Sequence, residues 1–274
     1  MKRYLFFAFV LFSITCNAQN LFDLQHTQSF ANYLYESGQF KLAAEEYERW
    51  LFFQPGNDTA SLQLMKSYRK GGLYLEGIAK TKLLFSGNEK MNEPQSKEYS
   101  MLLLLNRNFT VVDSFLKTET SFSSVDRDYL LMNENLLQKK WKAAEQIYLN
   151  NSNSDLRAFA PYSIVFKSYK ELPHRYAGLA MTMSTIIPGT GKIYSGDWKD
   201  ALFSILLIGA SGYQSYRGFE SKGVKSAYGW IFGGFSAGLY FGNIYGSYKS
   251  AKDFNHRHEN ELLKKATDLF SINL

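Results

Sequence analysis

One spacing constrains the fold of this 274-residue chain more than any other feature. The frame Gly38-x-Phe40-x-x-Ala43-x-x-x-Tyr47 returns as Gly72-x-Tyr74-x-x-Gly77-x-x-x-Thr81. It returns again as Arg107-x-Phe109-x-x-Val112, and as Lys139-x-Trp141-x-x-Ala144-x-x-x-Tyr148. The aromatic anchors Phe40, Tyr74, Phe109 and Trp141 therefore stand 34, 35 and 32 residues apart. A period of that length holds two helices and their turns. The small residue lets the second helix approach the first, and the bulky one four positions on fills the same face a turn away. Pro55 ends the second helix of the first pair, and Gly56-Asn57 turns the chain.

This frame resembles the tetratricopeptide repeat. The resemblance implies an all-α solenoid of antiparallel helix pairs over residues 19–172, whose concave face binds a peptide or partner protein. On the first helices of the first two pairs, the groove-facing positions are Gln28, Asn32, Tyr35, Lys66, Arg69 and Lys70. Basic and amide donors there suit an acidic segment or a terminal carboxylate. Residues 157–175 read as one further helix that covers the end of the stack, and Pro173 marks its boundary.

At the start, Lys2 and Arg3 precede an apolar run from Tyr4 to Ile14 and the small-residue segment Cys16-Asn17-Ala18. Residues 1–18 thus read as a signal peptide cut after Ala18. Cys16 is the single cysteine, so the remainder excludes disulfides, thiol nucleophiles and cysteine metal sites. Charge is uneven. Residues 19–156 carry 15 Lys+Arg against 17 Asp+Glu, whereas residues 157–274 carry 14 against 8. Basic excess beside apolar runs suits anionic lipid rather than nucleic acid.

Residues 176–248 differ in composition. Fourteen of the 20 glycines lie between Gly178 and Gly246, and the uncharged runs 201–216 and 226–248 follow a Pro-Gly turn. The expectation is a membrane domain over 173–250. It comprises a transmembrane hairpin behind a short interfacial or re-entrant helix, then an amphipathic helix over 251–274. Gly234, Gly238, Gly242 and Gly246 recur every four residues. The reading makes them the seam against Ala201, Ser204, Gly209 and Gly212, or a surface for homo-oligomers. The residues Pro188, Gly189, Gly191, Tyr194 and Gly196, then Gly242-Asn243-Ile244-Tyr245-Gly246, Ala251 and Asn255, resemble a family of small bacterial two-helix membrane domains. That resemblance implies location in a membrane and no established activity.

Chemistry is sparse in the sequence. Gly191-Lys192 lacks the upstream glycine and following hydroxyl of a phosphate loop, and no metalloprotease, nucleophile-elbow or twin-carboxylate pattern occurs. His256-x-His258 has no third ligand nearby, so no metal or cofactor is expected. Asp200 and Asn243 are the polar residues nearest the apolar runs, read as a helix-start carboxylate and a packing amide. The combined expectation is an exported protein-interaction scaffold, non-enzymatic, held in the inner membrane with its repeats outside the cytoplasm. The alternative is a membrane component that assists insertion or transport of other proteins, with an uncharacterised enzyme third.

Overall fold

The computed structural model describes residues 23–86, 90–119, 121–151 and 156–272, so residues 1–18, expected as a signal peptide, lie outside the described residues. Contact clustering divides the chain into two compact units, 1–158 with 270–274, and 159–269. The described residues are all helical, with no strand among them.

The first unit holds four helix pairs in its described part. These are α1 (Leu24–Glu36) with α2 (Phe40–Phe53), α3 (Asp58–Lys70) with α4 (Tyr74–Leu84), α5 (Glu93–Leu105) with α6 (Phe109–Thr118), and α7 (Ser124–Leu137) with α8 (Trp141–Asn151). Each aromatic anchor of the frame is the first residue of the second helix of its pair. The turn before it is the same four times. Gly38, Gly72, Arg107 and Lys139 all have left-handed backbone, with φ of 76°, 70°, 57° and 59°. Each is followed by a residue whose N–H reaches a carbonyl five positions back: Gln39 to Leu34, Leu73 to Tyr68, Asn108 to Leu103 and Lys140 to Asn135. This is the Schellman closure, which satisfies carbonyls left over at a helix end.

The small position of the frame is the point of closest approach. Ala43, Val112 and Ala144 have no exposed surface. At Gly77 a Cβ would lie 2.8 Å from Tyr68 Cβ and 3.1 Å from a Leu102 methyl. Of the residues four positions on, Tyr47 and Thr81 are buried and Tyr148 is half-buried. The first helices share a start signal as well. Asp23, Asn57, Asn92 and Ser123 each accept a first-turn backbone N–H through the side chain, and Asn92 with Gln95 forms a reciprocal capping box.

The second unit differs from expectation in three ways. The segment expected as a single helix over 157–175 is broken, into α9 (Leu156–Phe159), a 3₁₀ turn at Ala160–Tyr162 containing Pro161, and α10 (Ser163–Lys170). Its residues from Phe159 onward group with the second unit rather than the repeats. Then come α11 (Ala177–Ile186), α12 (Thr190–Tyr194), α13 (Trp198–Lys222), a 3₁₀ turn at Gly223–Lys225 and α14 (Ala227–Ile272). The second apolar run and the basic tail are one helix, because no proline or terminating turn separates Tyr248 from Lys249.

The transmembrane hairpin and the inner-membrane placement are corrected. Among the described residues no helix is long and apolar enough to cross a membrane. The physical reason lies in the composition of the two runs. They lack charge, but residues 201–216 include Ser204, Ser211, Gln214 and Ser215, and residues 226–248 are heavy in glycine and tyrosine. Glycine, serine and tyrosine contribute little transfer free energy compared with leucine or isoleucine.

The close approach in the first unit is open to a direct check. Replacing Ala43 with Leu adds volume where no surface is free, and overpacking of this kind costs roughly 1–3 kcal/mol. The melting temperature of the full chain should fall, while Lys41→Leu, on the exposed side of α2, should leave it unchanged. Equal melting temperatures would mean the α1–α2 contact is not set by residue size.

Candidate functional site

The expected groove residues divide into those that serve the fold and those that gather on a face. Asn32 accepts the Tyr47 hydroxyl at 2.8 Å, so its amide is tied to the helix pair. Gln28 is half-buried on α1. Tyr35 packs edge-on to Phe40 at 5.6 Å, and the Lys70 ammonium lies 4.9 Å from its ring centroid. Arg69, expected to face the groove, is enclosed. Its side chain is fully buried, its Nε pairs with Glu98 on α5, and its Nη1 donates to the Ser271 carbonyl at 2.7 Å.

The reason is a sequence separation of 29 residues that no local pattern reveals. Glu98 is also buried, and desolvation pushes its carboxyl above the usual range, opposed by Arg69, Lys66 and Lys70. Three of the expected donors therefore do come together, around one carboxylate. Phe270, which belongs to the first unit, packs tilted against Tyr129 of α7 at 6.1 Å between ring centroids and is 1% exposed. Helices α3, α5 and α7 thus contribute Arg69, Glu98 and Tyr129 to a face that already holds a two-residue stretch of chain.

A second carboxylate is strongly perturbed. Glu134 on α7 is buried, and desolvation together with the neighbouring Asp113 of α6 pushes it up to about 7, while its Oε1 accepts from Gln138 at 2.8 Å. Because the folded state holds that proton more tightly than the unfolded chain, its stabilising contribution is complete near pH 4.5 and is lost as pH rises to about 7.

In the second unit, the glycine-rich motif closes a clasp. Pro188 leads into Gly189, whose φ is +89° and whose missing Cβ would meet Ile205 at 2.9 Å. A Cβ on Gly191 would lie 1.9 Å from the Ala180 carbonyl oxygen, so the α11 and α12 backbones touch there. The Gly191 N–H donates to Ser184 Oγ at 2.9 Å, and Ser184 pairs with Ser247 at 2.7 Å. Gly196 turns the chain with φ +85°. The Tyr194 hydroxyl accepts the Tyr176 N–H at 3.2 Å, and the Arg175 guanidinium stands 4.8 Å from its ring. Asn255 then grips both backbone groups of Arg175 at 2.8 Å. Tyr245 is exposed and stacks with Tyr248. Asp200 opens α13, where its backbone carbonyl accepts from Ser204 at 2.8 Å. The motif residues from Pro188 to Gly196 and Asn255 are thus explained by packing and hydrogen bonding.

The expected glycine seam is corrected. An added Cβ at Gly234, Gly238, Gly242 or Gly209 would meet nothing within 4 Å. The contact between α13 and α14 runs one residue earlier around the helix. A Cβ on Gly218 would come within 2.7 Å of Gly229, one on Gly233 would lie 2.9 Å from Ser215 Oγ, and Ser215 donates to the Gly229 carbonyl at 2.9 Å. The stripe expected to be packed is open, apart from Gly246, where a Cβ would lie 3.2 Å from Lys192 Cε. Asn243 beside it is 3% exposed, and neither side-chain atom has a partner.

Among the described residues no three His, Cys, Asp or Glu side chains gather to hold a metal ion. His258, half of the histidine pair, faces the carbonyl of Phe254 at 2.9 Å. No family model, curated protein or solved structure matches this chain.

Two outcomes test this geometry. Glu134→Gln should stabilise the fold above pH 7 by on the order of 1–3 kcal/mol and leave it unchanged near pH 4.5. Parallel melting curves at all pH values would refute the shift. Separately, Gly238→Ala should raise thermal stability by roughly 0.5–1 kcal/mol through helix propensity alone. Gly191→Ala should lower it sharply, because backbone oxygen cannot yield. Destabilisation by Gly238→Ala would restore the packed seam.

Proposed function

We propose that this chain is a non-catalytic scaffold whose helical pairs bind a partner protein on the face formed by α3, α5 and α7. The observation that carries the reading is the seat already taken by Phe270 and Ser271. One aromatic ring rests on Tyr129, and one backbone carbonyl accepts from Arg69. A ring in an apolar contact and a main-chain acceptor on a fixed cation are the elements with which helical repeats hold peptide segments.

The charge of the face supports the same reading. Arg69, Lys66 and Lys70 all favour the charged form of Glu98 against its desolvation, so their positive charge is felt on this face. The Arg69 Nη2 is buried without a partner, which leaves one further donor on that guanidinium. Acidic or carbonyl-rich segments match that supply of donors.

Photo-crosslinking decides the matter. A photoreactive residue placed at Lys66 or Lys70 of the full chain should give protein adducts of defined mass. The same residue at Leu83, exposed on α4, should not. Equal labelling from all three positions, or none from any, would overturn the reading.

A further inference from the structure

The open side of α14 has a built-in polar end. Gly234, Gly238 and Gly242 pave a groove of about 500 Å³, walled by Phe235 and Leu239, with Lys192, Ser204 and Asn243 also on its lining. From Gly234 to Gly242 the floor runs eight residues, about 12 Å at the helical rise. Over that length the α14 backbone is bare, because nothing lies within 4 Å of the missing Cβ atoms. The shape suits a narrow, extended occupant rather than a side-chain knob.

Two groups state the chemistry of that occupant. Asn243 is 97% buried, and both its amide oxygen and nitrogen are without partners. Buried polar groups are normally satisfied, so an orphaned amide on the wall of a groove calls for a ligand that satisfies it. Lys192 donates to Ser204 Oγ at 2.9 Å, and among the described residues no carboxylate lies within ion-pair distance of its ammonium. Asp200 borders an adjoining cavity of about 210 Å³ rather than the groove itself. The Lys192 stem crosses Gly246, where any side chain would push the ammonium out of place.

We propose that this groove binds a free single-chain anionic amphiphile, a medium-length alkyl carboxylate or alkyl phosphate. The chain lies along Gly234, Gly238 and Gly242 between Phe235 and Leu239, and the head group accepts from the remaining Lys192 donors and from the Asn243 side-chain N–H. A charged head on a buried-stem lysine is a charge-assisted contact, stronger than one between neutral groups. The site is separate from the repeat face, so its test does not depend on the scaffold reading.

Calorimetric titration of the full chain with sodium dodecanoate, below micelle-forming concentration, provides the test. Saturable one-site binding is expected for dodecanoate and not for dodecyl maltoside or dodecyltrimethylammonium, whose alkyl chains are longer by a single carbon. Lys192→Gln should weaken binding by roughly 10-fold, the loss of a charge-assisted contact. Gly238→Leu should abolish it by filling the floor, with the fold retained because its Cβ enters open space. Asn243→Leu should weaken binding with no loss of thermal stability. Equal binding of all three amphiphiles, undiminished binding by Gly238→Leu, or binding to anionic phospholipid vesicles alone would each overturn the proposal.

Discussion

Both units depend on one constraint, the approach of two backbones through positions that carry little or no side chain. In the first unit that position is Ala43, Gly77, Val112 and Ala144, one in each pair. In the second it is Gly191 against the Ala180 carbonyl and Gly218 against Gly229. Short interaxial distance brings the flanking large residues into contact, and dispersion over many atom pairs then stabilises the pair. A methyl group is accommodated at Ala43 and Ala144, whereas one at Gly77 would lie 2.8 Å from Tyr68 Cβ. It is not tolerated at Gly191, where the neighbour is main chain.

The polar groups follow from this tight packing. Arg69 and Glu98 are enclosed because α3 and α5 lie side by side, and removing either would leave an uncompensated charge in the interior. Glu134 and Asp113 form the opposite case, two acids drawn together by helices that pack for other reasons. Each is an outcome of where the helices had to go.

How much of this was legible depends on range. The turns at Gly38, Gly72, Arg107 and Lys139 and the anchors after them are local, so a 34-residue frame located them to the residue. The caps Asp23, Asn57, Asn92 and Ser123 carry an equally local signal, readable at nearly the same spacing. The burial of Arg69 against Glu98 was not legible, because its partner is remote in sequence. In the glycine-rich half, absence of charge was taken for apolarity, and a period of four glycines was taken for a seam. The seam instead uses Gly229 and Gly233, which belong to a neighbouring stripe of the same helix. Composition marked where glycines concentrate, but which stripe faces a neighbour depends on the rotation of α14, which local pattern does not determine.

The four left-handed turns are alike in geometry and unlike in chemistry. Glycine occupies the first two, while Arg107 and Lys139 hold the same backbone angles with a Cβ in place. Left-handed backbone costs a residue with a Cβ about 1–2 kcal/mol, and glycine almost nothing. The α5–α6 and α7–α8 pairs therefore close on turns that resist closure. Local opening free energies follow such differences. The array is graded along its length in the cost of its turns, low in the first two pairs and higher in the last two. Of the residues that hold Phe270 and Ser271, Arg69 belongs to a pair closed on glycine and Tyr129 to a pair closed on Lys139.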